Sequence, residues 1–190
     1  MFTNELEKTL PHLRAYARML CHDKDMADDV VQNACLKAWN ARKSFDPNRG
    51  SFKSWMFTIT RNEFLQLMRK RKPVDCYAPE DFETRLVQDC QLDSRTNCSE
   101  AIKQLFSLNP EQRDVFILVV AVGYSYEEAA KICGCEVGTI KSRVNRARAK
   151  LAELQSRETQ DSPPAQETHI SFHDLQDILG YVDDLVRRAA

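Results

Sequence analysis

Apolar residues recur at intervals of three and four along most of the chain, the period of helices with one buried face. Leu6, Leu10, Leu13, Ala17 and Leu20 form a first stripe, and Pro11 inside it predicts a bend or a restart. A second helix is expected from Asp23 or Asp25, carrying Val30, Val31, Ala34, Ala38 and Trp39. Ser44–Gly50 reads as a turn by composition. A third helix is expected from about Ser51 to Lys72, with Phe52, Trp55, Met56 and Ile59 inward and Pro73 ending it.

Residues 73–97 break this pattern and read as a linker, opened by Pro73 and containing Pro79. The pattern then resumes with clearer punctuation. Asn109-Pro110-Glu111 has the form of an N-cap followed by proline at the first helical position. The apolar run Val115–Val122 stops at Gly123, and Ser125-Tyr126-Glu127-Glu128 has the spacing of a capping box. That box opens a short helix over Tyr126–Cys133, which Gly134 closes. A longer helix starts near Glu136, with Ile140, Val144, Ala147, Leu151 and Leu154 in one stripe. Past Asp161-Ser162-Pro163-Pro164, Phe172, Leu175, Ile178, Leu179, Val182, Leu185 and Val186 form another stripe, capped at Ser171. A helix over 171–188 would either dock back on the protein through a tether or pack there permanently, since its apolar face must be buried somewhere.

The expected architecture is all-α: two small helical domains at 1–72 and 98–155, the linker 73–97, and a C-terminal extension at 156–190 with an amphipathic helix. Five glycines and no regularly spaced turns argue against a sandwich or barrel. No apolar run is long enough to span a bilayer, and MFTNELEKTL lacks the order of a signal peptide, so a cytoplasmic protein without membrane insertion is expected. Of the seven cysteines, Cys133 and Cys135 have one residue between them and no second pair, which does not suit a zinc site. Small packing residues kept reduced account for them, and no metal or cofactor is expected. The histidines are scattered and no Gly-rich phosphate loop is present, so no catalytic set is expected.

A net charge of −1 argues by itself against a nucleic-acid partner, but the distribution reverses that reading. Residues 69–72 read Arg-Lys-Arg-Lys, and 139–150 hold Lys141, Arg143, Arg146, Arg148 and Lys150 with no acid, whereas 74–100 hold seven acids against two arginines. Local clustering is what attracts phosphates. A short capped helix, a glycine turn and a longer basic helix make a helix-turn-helix. Burying its apolar stripe leaves Thr139, Lys141, Ser142, Arg143, Asn145, Arg146 and Arg148 on the other faces. Arg and Asn can read guanine and adenine edges, while Lys and Ser hold phosphates. A merely solvated basic helix, or one that meets a membrane or a peptide-binding partner, has the same composition. Asp28, Asp29 and Gln32 form a polar patch suited to a basic partner helix, or acids that compensate a helix dipole. Asn48, Arg49, Ser51 and Lys53, at a loop and helix start, can hold single-strand phosphates beside an extruded base. Arg69–Lys72 suit a phosphate anchor, or cations at a helix C-terminus.

Residues 108–116, LNPEQRDVF, followed by GYSYEEAAKICGCEVGTIKSRVNRARAKL, resemble region 4 of the extracytoplasmic-function (ECF) sigma factors of bacterial RNA polymerase. Ala27–Trp39 resembles region 2.2, and Phe45–Gly50 with Ser51–Arg71 resembles regions 2.3 and 2.4. The motifs occur in the family's order, and regions 1.1 and 3 are missing, as in that type. Region 4 looks most like the alphaproteobacterial general-stress-response group. The resemblance implies a sigma factor without enzymatic activity that binds core RNA polymerase, at the β′ clamp helices and the β subunit, and promoter DNA, and that is held by an anti-sigma factor. It implies polymerase binding by Asp28, Asp29 and Gln32. It implies −10 contacts by Asn48, Arg49, Ser51, Lys53, Arg61, Asn62, Arg69 and Arg71, and −35 contacts by the helix-turn-helix set. A helix-turn-helix repressor or activator, or a sigma mimic that titrates an anti-sigma factor, are the competing functions. The extension at 156–190 lies outside the two-domain plan.

Overall fold

A computed structural model describes residues 2–21, 23–70 and 103–161. The linker 73–97, Arg71 and the helix expected at 171–188 lie outside the described residues. The described residues form helices joined by short turns, with no strand among them. They fall into two compact units, one formed by the first three helices together with Lys131–Gly134 and the other built on the rest of the helices beyond residue 103.

In the first unit α1 spans Phe2–Leu20, α2 Lys24–Asn40 and α3 Phe52–Lys70, and each packs on the other two. Pro11 lies inside α1 without ending it. Proline removes one rung of the ladder, and burial of Thr9, Leu13, Ala15, Tyr16 and Ala17 around it holds the helix together. Asp23 is the N-cap of α2, where its carboxylate accepts from Met26 N at 2.8 Å. Met26, Ala27, Val30, Val31, Ala34 and Ala38 form the buried face of α2. Trp39, placed in that stripe by spacing, is instead 49% exposed. At the last turn of α2 the indole meets Phe2 and Arg42 at the end of the bundle and stays half in water.

The buried face of α3 also differs from expectation. Met56, Phe57, Thr60, Arg61 and Phe64 are buried, and Tyr16 meets Phe57 with ring centroids 5.0 Å apart. Phe52, Trp55 and Ile59 are half-buried. Phe52 and Trp55 belong to a second aromatic cluster at the end of the bundle. Phe45 lies 5.5 Å from Phe52 and 5.2 Å from Trp55, and Phe2 lies 5.2 Å from Phe52 and 5.7 Å from Trp39, ring centroid to centroid. Edge-on and tilted rings at such distances are favourable arrangements. Spacing along α3 cannot distinguish two clusters that share one apolar stripe. Across the outside of α2 and α3, Lys37 is paired with Glu63 and donates to Gln66 at 3.2 Å.

In the second unit, residues 103–107 are helical and precede α4 at Pro110–Phe116. Asn109 caps α4, accepting from Gln112 N at 2.8 Å, with Pro110 at the first helical position as expected. The apolar run continues as a π-helical turn over Ile117–Ala121, closed by Val122 N donating to Ile117 O at 2.9 Å. Tyr124 N reaches back to Leu118 O at 3.0 Å across Gly123, whose φ of +83° is the left-handed conformation that ends the helix. Tyr126–Cys133 is α5 and Val137–Asp161 is α6. The last helix therefore runs six residues past the expected boundary at 155, up to the Ser-Pro-Pro that would stop it. Ile140, Val144 and Ala147 are fully buried where α6 packs on α4.

Candidate nucleic-acid and polymerase interface

The helix-turn-helix is assembled by local chemistry. Ser125 N donates to Glu128 Oε2 at 2.9 Å and Glu128 N donates to Ser125 Oγ at 3.1 Å, a reciprocal capping box at the start of α5. Glu127 beside it stands at the positive end of α5. Its carboxylate is held below the usual range, first by its backbone hydrogen bond and then by Ser125, with Lys141 adding attraction. Gly134 at φ +64° ends α5, and Cys135 N returns to Ala130 O at 3.1 Å. The chain then turns into α6.

Along α6, Lys141, Asn145, Arg146 and Arg148 are exposed, and Thr139, Ser142 and Arg143 are half-buried. Ser142, Asn145 and Ala149, at i, i+3 and i+7, lie opposite the buried Ile140, Val144, Ala147 and Leu151. Small side chains therefore mark the outermost line, with Lys141 and Arg148 on one flank and Thr139 and Arg146 on the other. That arrangement lets a backbone approach a groove while cations bracket it. Arg143 is turned differently: its Nη2 is paired with Glu111 Oε2 of α4.

In the first unit, Asp46 caps the turn Pro47–Arg49, accepting from Asn48 N at 2.9 Å and Asn48 Nδ2 at 3.0 Å. Ser51 caps α3, its Oγ accepting from Ser54 N at 3.1 Å. Asn48, Arg49 and Ser51 are exposed and lie together on this loop, with Lys53 beginning α3, its Nζ 5.9 Å from the Phe57 ring centroid. Asn62 and Arg69 are exposed further along α3, whereas Arg61 is buried. Two cations missed by the sequence reading, Arg42 and Lys43, are exposed in the turn Arg42–Ser44. Arg42 lies 4.4 Å from the Trp39 ring centroid and donates to Trp39 O at 2.7 Å. The adjacent basic pair was a signal available for finding them.

On α2, Asp29 and Gln32 are exposed and Asp28 is half-buried. The structure extends this surface with residues absent from the expected set. Asn33, Leu36 and Asn40 follow Asp29 at i+4, i+7 and i+11, and Leu36 is 63% exposed beside Trp39. An exposed leucine and tryptophan bounded by amides and an acid have the composition of an interface centre with a polar rim. Cys35, half-buried on the same helix, has its thiol pushed up by burial, against a lowering by Arg14. No group of side chains that could hold a metal ion occurs among the described residues. No helix among them is long and apolar enough to cross a membrane.

A three-helix unit with an exposed apolar-polar strip, followed by a helix-turn-helix with a basic outer face, is the plan of a sigma-type transcription initiation factor. Residues 6–74 match the Sigma-70 region 2 family and residues 100–151 the Sigma-70 region 4 family. The chain is 42% identical over 151 residues to the ECF RNA polymerase sigma factor EcfG of Rhodopseudomonas palustris, covering 80% of this chain and 83% of that one. Among solved structures it is similar to the sigma factor RpoE of Bartonella quintana in complex with the anti-sigma factor NepR. The TM-score is 0.64 at 41% identity, over 82% of this chain and 96% of that one. It is also similar to CnrH in complex with the cytosolic domain of CnrY, with a TM-score of 0.62 at 30% identity, over 85% and 89% of the two chains. The chain belongs to the ECF RNA polymerase sigma factors.

Proposed function

We propose that this sigma factor docks on core RNA polymerase through α2, with Asp28, Asp29 and Gln32 supplying polar contacts and Leu36 and Trp39 the apolar centre. The loop at 46–53, with Asn48, Arg49, Ser51 and Lys53, holds the opened −10 element, helped by Asn62, Arg69 and Arg71. The outer face of α6, led by Asn145 and Arg146 with Thr139, Lys141, Ser142 and Arg148, enters the groove at the −35 element. Arg61 and Arg143 belong to the same basic sets but are covered, so their part is indirect. The observation that carries the reading is the exposure of Lys141, Asn145, Arg146 and Arg148 on a capped helix whose opposite face is fully buried. Polymerase performs the chemistry, so the chain needs no catalytic residues, and it works in the cytoplasm where polymerase is. The likeness to RpoE, solved with the anti-sigma factor NepR, supports an anti-sigma partner here as well. The resemblance of residues 108–151 to region 4 of the alphaproteobacterial general-stress-response group supports a role of that kind. A dimeric operator-binding regulator is not favoured, because both halves match sigma regions in the sigma order. The test is run-off transcription with purified core polymerase on a promoter library: the full chain should yield transcripts from promoters sharing paired −10 and −35 sequences. Tight binding to a duplex operator without polymerase, and no transcripts with it, would overturn the reading.

A further inference from the structure

The pairing of Arg143 with Glu111 joins two helices across 32 residues of sequence, at a distance of 2.5 Å. The arginine side chain is 23% exposed while the glutamate is 66% exposed, so the guanidinium is drawn onto the protein and the carboxylate faces water. Glu111 occupies the first turn of α4, one residue after Pro110, where the helix dipole favours a negative charge. An anion is thus built into the position where a phosphate would otherwise approach Arg143. On α6, Arg143 lies one turn from both Thr139 and Arg146, at the edge of the basic face.

We propose that Glu111 is a positioning residue that withholds Arg143 from DNA and so lowers the sequence-independent affinity of this helix-turn-helix, leaving discrimination to the exposed Asn145 and Arg146. The inference rests on the reading of α6 as the DNA-facing helix. Sequence-independent affinity comes from cations that displace counterions from phosphates. A cation neutralised by its own protein displaces none, whereas base-edge contacts by neighbouring side chains are unaffected. The net charge of the pair is zero, and the consequences of removing either member are opposite in sign. Loss of the acid frees one cation, and loss of the arginine leaves one acid facing the phosphates.

The experiment measures binding of the full chain to a fluorescent mixed-sequence duplex by anisotropy over a range of KCl concentrations. Glu111→Gln should bind tighter, by roughly five- to tenfold near 0.1 M salt, and its log–log salt slope should steepen by about one. Arg143→Ala should bind more weakly than wild type, and the double variant Glu111→Gln/Arg143→Ala should return to wild-type affinity and slope. Two results would overturn the proposal: a Glu111→Gln variant that binds like wild type, or a double variant as weak as Arg143→Ala, which would mean that Arg143 already touches DNA. Melting curves provide the control, since a purely structural pair would shift thermal stability and leave the salt slope unchanged. Arg146→Ala separates the two levels of the argument. If it weakens binding while Glu111→Gln does nothing, the role of Glu111 alone is wrong. If no variant alters binding, or none binds at low salt, α6 is not the DNA-facing helix and the proposal falls with it.

Discussion

Leu36 gives the sharpest test of the polymerase-binding surface, because its contributions to folding and to docking separate cleanly. It sits within α2, 63% exposed, between Gln32 and Asn40 on the same helix face. Alanine is the strongest helix former, so Leu36→Ala leaves the helix intact, and loss of partly exposed surface changes folding stability by no more than about 0.5 kcal/mol. Full burial of a leucine is worth roughly 1.5–3 kcal/mol. About two thirds of that is still available for burial against a partner, given the exposed fraction, so docking should lose roughly 1–2 kcal/mol, or about five- to thirtyfold in Kd. The assay is competition with fluorescently labelled wild-type chain for core polymerase, read alongside a thermal melt of each protein. Weaker competition in that range with an unchanged Tm supports the surface. Core affinity within twofold of wild type, with the protein folded, would refute the placement of Leu36 at the centre of that interface.

Three further outcomes follow from individual contacts. Ser125→Ala removes half of the capping box and should destabilise the second unit by about 1 kcal/mol, lowering its Tm by roughly 4–8 °C; an unchanged melt would mean that the box adds nothing. Arg146→Ala should weaken transcription from a −35-dependent promoter by a factor matching about 1–3 kcal/mol and relax preference at one base pair, whereas uniform weakening across sequences would make Arg146 a phosphate contact. Because burial raises the Cys35 thiol, its thiolate is scarcer in the folded than in the unfolded chain. Folded stability should therefore decline as pH rises from the ordinary thiol value towards the raised one, and iodoacetamide should label Cys35 more slowly at pH ~8 than in the same chain unfolded in urea. Equal labelling rates in peptide mapping would contradict the burial.

What the sequence determined by itself is whatever depends on near neighbours. The N-cap at Asn109, the Ser125/Glu128 box, the stop at Gly123 and the stripe Ile140–Val144–Ala147 were legible because each is made by residues within about one or two turns of one another, whereas the start of α2 was left between Asp23 and Asp25. The basic outer face of α6 followed from the same periodicity. Tertiary structure alone decided which of several equally apolar positions found partners. Trp39 has the period of a core residue, yet the bundle leaves it 49% exposed beside Leu36 on the neighbouring polar face, which makes an apolar patch on the surface. The stripe of α3 divides between the bundle core and a cluster with Phe2 and Phe45, residues brought together only by the bundle. The π-helical turn at Ile117–Ala121 has no signature in an unbroken apolar run, since the extra residue is accommodated by how that run packs. Arg143 and Arg146 are the same residue type three positions apart and were indistinguishable in the sequence. Packing of α4 against α6 brought a carboxylate to one and left the other in water, because a charge pair across helices depends on a distance that no local pattern encodes.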